Sequence, residues 1–587
     1  MASNNNHFIC RIICFPFNSY KNWAMHPSFL RLDNRKSLAS IIDHLSIVNN
    51  LSGDSHSRKY YISSALYTTD AGASMHLSWI DYAIVLVYVG GTIIAGTMAR
   101  GAIKGISDFL VAGRGLKTHM AVATMVSTGL GLVTVMYMAE EGFKYGFVPF
   151  VFGIMALITT LIIGRTGFIV SRLRHLEVMT VPEFYEMKYT RGVRLLGGII
   201  LTLAGTLNMG LFPILGSKFV VGFTGLDKEY VNFVMVAMLI IVVFYTLMGG
   251  MVSVVLTDFA QFVLLALGFF FGTYIIFNHP QLGWDNMVQA VQLHKGDIGF
   301  DPIANPAYGI SMILFLFCVG LVGVVWQPEM MRPLSAESPK VARRVFWISA
   351  ATVMGRAMVP MFWGIAALTY FGDPDLDPHY AMPEMLGQIL PIGIAGLMMA
   401  GMFAAFMSTH DSYLLAWSGV IVRDVISPIK AMLAGSSGER EDDGTWGGLS
   451  SEREIYWVRA IVVILAAFLA IFGALYQLPE TAFRFMYVTG SIYFSGAVGT
   501  IVLGLYWKKA NTPGAYTALV LGALVPLNFL IMTENQESVP AFLLPLVENS
   551  NLVGLTSFIV GGLAMLIVAS LTQRSHPPRS LDFNDMD

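Results

Sequence analysis

From residue 79 onward one pattern repeats: a run of largely apolar residues, a short polar turn, another apolar run. A helix needs about 20 such residues to cross the hydrocarbon of a bilayer. Thirteen segments reach that length: 79–99, 119–139, 147–170, 193–216, 229–249, 257–278, 308–328, 345–371, 391–415, 456–476, 482–507, 514–533 and 552–571, numbered here as spans 1 to 13. In lipid a spanning helix satisfies its backbone groups internally. The pattern therefore predicts an all-α, polytopic membrane protein with about 13 transmembrane helices.

Lysine and arginine collect in cytoplasmic loops of such proteins. The loops after spans 1, 3, 5, 7, 9 and 11 are not equal in this respect. Those after spans 1, 3, 7, 9 and 11, together with the C-terminal tail, hold twenty-one Lys and Arg residues, from Arg100 and Lys104 through Arg172, Arg332 and Arg423 to Arg579. The opposite side holds five: Lys144, Lys218, Lys228, Lys295 and Arg484. The expected orientation puts the start of span 1 outside and the C-terminus in the cytoplasm, in the plasma (inner) membrane.

Composition supports this reading and narrows the function. The chain is 55% hydrophobic and 13% charged, against about 25% charged in soluble domains. Its mean hydropathy is +0.63. A net charge of −2 gives no basic footprint for nucleic acid. Three cysteines, Cys10, Cys14 and Cys318, cannot build a disulfide framework or a zinc ribbon. No G-x-x-x-x-G-K-[ST] run offers an ATP site, and no H-E-x-x-H or G-x-S-x-G of convincing context suggests an enzyme. No cofactor is expected.

Residues 1–74 are polar and aperiodic, and lack the ordered parts of a signal peptide. Two readings stand: a mis-assigned upstream extension, with translation starting at Met75, or a disordered extramembrane tail. Residues 75–575 form the expected transmembrane unit. Within it, 430–454 contains the Gly-, Ser- and charge-rich stretch Gly435–Gly444 and reads as a flexible cytoplasmic loop. Residues 576–587 read as a cytoplasmic tail.

Polar groups at membrane depth mark pathways. Span 2 carries Ser127, Thr128 and Thr134 around Gly129 and Gly131. An unwound stretch there would free carbonyls, such as those of Ser127 and Leu130, for a hard cation; a small-residue packing seam is the alternative. Span 9 carries Ala405, Ser408 and Thr409. Two adjacent hydroxyls and a carbonyl one turn earlier suit sodium, although Ser and Thr also bond back to their own helix. Asp411 shares the face of Ser408 three residues on. Asp258, at the start of span 6, fits a helix cap and a gate equally. Arg356 inside span 8 needs a partner, with Asp258, Glu329 and Asp411 as candidates. His410 has no second histidine or cysteine one turn away and reads as a packed polar residue. Trp326 and Gln327, ending span 7, line a cavity or anchor an interface.

Five runs of residues together resemble the sodium:solute symporter family. They are Ser107–Arg114 (SDFLVAGR), Thr180–Phe184 (TVPEF), Tyr245–Gly250 (YTLMGG) continuing to Thr257-Asp258 and Gln261, Ala404–Thr409 (AAFMST) with Asp424 following, and Leu503–Lys509 (LGLYWKK) with Gly514-Ala515. Each is modest alone; five in the family's order are specific. The resemblance implies a ten-helix core of two inverted five-helix repeats of the leucine-transporter type, spans 2–6 and 7–11 (about 119–278 and 308–507), with spans 2 and 7 discontinuous. It implies a sodium site built from the carbonyls of Ser127, Leu130 and Ala405 and the hydroxyls of Ser408 and Thr409. Asp258 matches an acidic position linked to cation coupling, with Asp411 and Arg356 as further coupling or gating residues. A small solute would sit between the repeats near Thr134, Gly323, Trp326 and Gln327. Sugar-binding members carry polar and aromatic residues where this chain has Gly129, Val133, Val322 and Gly323, which speaks against a sugar. The expected function is sodium-coupled import of a small organic solute by alternating access; the alternative is a membrane sensor or channel on the same bundle.

Overall fold

The computed structural model describes residues 77–99, 105–433, 450–476, 482–534 and 550–583, all within the unit Ser74–Asp587. The expectations for residues 1–74, for most of the 430–454 loop and for the last residues of the tail lie outside the described residues. Among the described residues there is no β-strand. One isolated parallel bridge joins Leu116 to Ala336.

Helix occupies most of each of the thirteen apolar segments, in spans 2, 4 and 7 as consecutive pieces. By length and apolar composition, eight helices can cross a membrane, or ten if two sharply bent pairs each count as one span. The expected thirteen is not reached on that measure, for stated reasons. Trp79–Ala95 and Phe150–Thr166 are apolar but shorter. Ile394–Val420, over span 9, is long enough, but Ser408, Thr409, His410, Asp411 and Ser412 lower its hydropathy.

Position in the bundle follows from composition. Spans 6 and 10 bury only 28% of their apolar windows and turn Phe259, Phe270, Tyr274, Ile464 and Ile471 outward. Such an apolar periphery belongs in lipid. Span 9 is buried along nearly all of its length, and Ala482–Tyr506, over span 11, along 83% of its window. A helix buried on every side belongs at the centre.

The two bent pairs open the two halves of the core. Span 2 is Thr118–Gly129 followed by Leu132–Tyr145, bent by 54°. Span 7 is Gly309–Val325 followed by Gln327–Ser335, also bent by 54°. The second break has a local cause. Trp326 is extended (φ −66°, ψ 121°), and Pro328 sits in the first turn of the new half-helix, where its missing N–H is tolerated. Span 7 therefore continues seven residues past its expected end at 328.

At one end of the bundle, charged side chains lock several elements together. Arg423 lies in a π-helical turn, Ile421–Ile426, that follows span 9. It donates to Glu183 of the TVPEF run and to Glu454 at the start of span 10, both at 2.8 Å. Arg194, opening span 4, donates to Asp424 at 2.7 Å, to Glu186 at 2.9 Å and to the Arg423 carbonyl at 2.9 Å. Thr180 donates to the same Asp424 oxygen at 2.9 Å. Arg194, Arg423, Glu183, Asp424 and Glu454 are all buried. Arg194, Arg332 and Arg423, which loop charge counting assigns to water, are instead spent inside the protein.

Breaking such a buried pair on one side leaves a charge without a counterion, at a cost of about 3–5 kcal/mol. Arg423→Met is expected to lower the stability of the detergent-solubilised protein by that order. Thermal unfolding checks it, and Arg423→Met with wild-type stability would show that the cluster contributes nothing.

Candidate functional site

The break in span 2 decides the site. Ser127 and Thr128 lie in the last turn of the first half-helix, so the donors their carbonyls would meet in a continuous helix lie beyond the break. Span 9 fills the gap. The Ser408 hydroxyl lies 3.2 Å from the Ser127 carbonyl and 3.3 Å from that of Ala405. The Thr409 hydroxyl lies 3.2 Å from the Thr128 carbonyl. Three of the five expected sodium ligands, Ser127, Ala405 and Ser408, thus meet at one hydroxyl, and Thr409 meets the neighbouring Thr128 carbonyl. The fifth, Leu130, sits in the break itself (φ −97°, ψ 58°), and the carbonyl that meets Thr409 is that of Thr128. The negative end of the half-helix dipole adds to the attraction for a cation.

Two glycines permit this approach. A Cβ on Gly131 would collide with the Thr409 side chain, and one on Gly129 with the Arg356 guanidinium.

Asp258 is fully buried and accepts from Thr124 of span 2. Its cationic neighbour is Arg332, at 3.8 Å, rather than Arg356. Arg332 also donates to Thr128 at 2.5 Å, to Ser412, and to the Pro328 carbonyl at 2.7 Å. Asp411 accepts from Ser412 at 3.0 Å and from the Tyr245 hydroxyl of span 5, which also bonds the Met407 carbonyl at 3.0 Å. Thr128 therefore serves two groups, with its carbonyl toward Thr409 and its hydroxyl toward Arg332. Arg332, counted as a loop charge, and the Thr128 carbonyl were not among the expected site groups. The proline-flanked polar stretch Gln327–Ser335 was the available signal for a half-helix that carries Arg332 inward.

Arg356 faces Glu329, at 3.9 Å. Glu329 is in the first turn of the second half-helix of span 7, where the dipole favours an acid. Thr134, Tyr137, Gly323 and Tyr413 are, like this pair, half-buried. The hydroxyls of Tyr137 and Tyr413 lie within electrostatic reach of both Glu329 and Arg356. The Trp326 indole donates to Tyr413 at 3.2 Å, and Phe212 packs on the same tyrosine. Of the expected cavity residues, Trp326 joins this group through Tyr413. Gln327 does not: its amide accepts from the Val181 N–H at 2.8 Å and donates to the Met179 carbonyl at 3.2 Å, which ties span 7 to the TVPEF run. His410 donates from Nδ1 to the Phe406 carbonyl of its own helix at 2.7 Å and packs on the Phe406 ring, a packed residue.

The sodium:solute symporter family model matches residues 109–522. The chain belongs to that family: it is a multi-pass membrane protein and a sodium-coupled symporter, not an enzyme. It is 24% identical over 487 residues to a sodium/glucose cotransporter of Vibrio parahaemolyticus, covering 76% of this chain and 84% of the relative. It is 21% identical over 536 residues to sodium/proline symporter 2 of Staphylococcus saprophyticus, covering 88% and 98%. Among solved structures it is similar to a Na+-coupled sialic acid symporter in a substrate-bound, outward-open state, with a TM-score of 0.71 and 17% identity, over 86% of this chain and 100% of the other. The fold is thus shared across members whose named solutes differ.

Two outcomes follow from the geometry. Gly131→Ala, which drives a methyl group into Thr409, is expected to raise the sodium concentration for half-maximal uptake about tenfold or more, read from a sodium titration of transport in proteoliposomes. Arg332→Met is expected to destabilise the protein by about 3–5 kcal/mol by stranding Asp258. Asp258→Asn in the same chain should recover part of that loss in a double-mutant comparison of unfolding.

Proposed function

We propose that the driving sodium is held between the broken span 2 and span 9, by the carbonyls of Ser127, Leu130 and Ala405 and the hydroxyls of Ser408 and Thr409. The convergence of Ser408 and Thr409 on the freed carbonyls of span 2 is the observation that carries this assignment. A hard cation prefers such oxygens. Asp258, Asp411 and Arg332 form the charged group beside the site and set which arrangements of spans 2, 5, 7 and 9 are stable. Arg356 and Glu329, with Thr134, Gly323 and Trp326, border the solute.

Sodium bound there bridges two elements that must separate when the cavity changes the side it faces. It therefore favours one arrangement over the other, and its differential affinity is the coupling energy. The excess of Lys and Arg on one side supports a cytoplasmic C-terminus, an outward start of span 1 and residence in the plasma (inner) membrane. In that orientation sodium enters from outside and solute moves inward. One charge moving through −100 mV supplies about 2.3 kcal/mol, and a tenfold sodium gradient about 1.4 kcal/mol. Together, one ion supports accumulation of roughly a few hundred-fold.

Ser408→Ala combined with Thr409→Ala is expected to abolish sodium-stimulated uptake in vesicles while the protein still reaches the membrane. Uptake that keeps its full sodium dependence in the double variant would reject the site.

A further inference from the structure

The charged side chains beside the break of span 2 are buried among polar partners. Arg332 is buried against Asp258, Thr128, Ser412 and the Pro328 carbonyl. Arg356 differs in its exposure and in its lack of hydrogen bonds. It lies near the midpoint of the 33-residue helix Pro339–Phe371, with its guanidinium against Gly129 at the span-2 break. Its side chain keeps 23% exposure, and that of Glu329 keeps 21%. Their separation of 3.9 Å is an ion pair without a hydrogen bond. Neither side chain makes a hydrogen bond to another described residue. An arginine carries five donors, and leaving them unspent at membrane depth is expensive unless something else takes them.

We infer that Arg356 and Glu329 form a split receptor for a small zwitterion, with the solute carboxylate on Arg356 and its ammonium on Glu329. This rests on the symport reading above and names the solute class for the same cavity. A planar carboxylate matches the guanidinium fork in two parallel bonds. An ammonium group fits between the Glu329 carboxylate and the hydroxyls of Tyr137 and Tyr413, and the half-buried ring of Tyr413 adds an aromatic surface for a cation.

Charge balance separates the solute classes. A simple anion would satisfy Arg356 and be repelled by Glu329. A simple cation would do the reverse. A neutral sugar would displace water from both charges and neutralise neither. A zwitterion occupies both and leaves the cavity as neutral as it found it. The charge carried per cycle is then that of sodium alone.

The test uses the purified full chain in nanodiscs, with thermal stability and calorimetric binding measured in sodium and in potassium. The probes are the proteinogenic amino acids and glycine betaine, set against pyruvate and propionate, choline, and glucose. At least one neutral zwitterion is expected to bind in a sodium-dependent manner, and pyruvate, choline and glucose are not. For that zwitterion, Arg356→Gln and Glu329→Gln should each weaken binding at least about tenfold, the loss expected when a charged hydrogen bond is removed. Glu329→Gln should in turn bind the deaminated monocarboxylate better than wild type does. The inference is overturned if no zwitterion binds, if only a sugar, a simple anion or choline does, or if both variants leave zwitterion affinity within twofold. Sodium alone separates the two levels. If sodium stabilises the protein and no zwitterion does, symport stands and the solute class falls. If a zwitterion binds equally in potassium, the solute class stands and sodium coupling falls.

Discussion

A helix interrupted inside a membrane must find new partners for the carbonyls it releases, because lipid offers none. The break at Leu130 sets that requirement, and the neighbouring elements answer it. Span 9 brings Ser408 and Thr409 to the last turn of the first half-helix. Gly131 gives Thr409 room to arrive. The hydroxyl of Thr128 turns to Arg332 on the other broken span, so the two breaks are joined through one residue. A continuous helix at this point would leave span 9 with hydroxyls that could only bond back to themselves.

Buried charge is used in two different ways in this protein. The cluster of Arg194, Arg423, Glu183, Asp424 and Glu454 is closed, with each guanidinium meeting carboxylates at hydrogen-bonding distance. Desolvation offsets much of the attraction in such clusters, so their clearest effect is to fix which elements meet. Here they fix the TVPEF run, spans 4 and 10, and the π-helical turn beyond span 9. The Arg356–Glu329 pair is the opposite case: longer, partly exposed and not hydrogen-bonded. A closed network holds a shape, whereas an open pair at the edge of a cavity keeps its bonding capacity for a ligand.

The sequence made the bundle legible because lipid imposes one hydropathy rule on every span, and a local run such as AAFMST brings its oxygens together within a turn of helix. What it hid are contacts made across the chain. Arg332 follows the apolar stretch of span 7 and so counts as a loop charge; only the half-helix that continues through Ser335 turns it inward. Gln327 is polar and stands next to Trp326, yet it faces the backbone of Met179 and Val181, because a break rotates the residues beyond it by an amount that periodicity does not give. The same uncertainty of register hid the Thr128 carbonyl beside Thr409. Arg356 plainly needed a partner, but choosing Glu329 among three acids required the crossing geometry of spans 7 and 8.

The positions of the two proposed ligands explain how they would be coupled. Gly129 packs against Arg356, and Gly131 against Thr409, on either side of Leu130. The solute receptor and the sodium ligands therefore touch the same hinge, two residues apart. An ion that fixes the end of the first half-helix also fixes the surface on which the guanidinium rests, and a solute that holds Arg356 in turn holds that hinge for the ion. Reciprocity of this kind is required of any coupling between two bound species. No long relay is needed, because each ligand bears on one pair of backbone torsions. It also accounts for the lack of side chains at positions 129 and 131: a Cβ at either would meet one of the two groups before the ligand could.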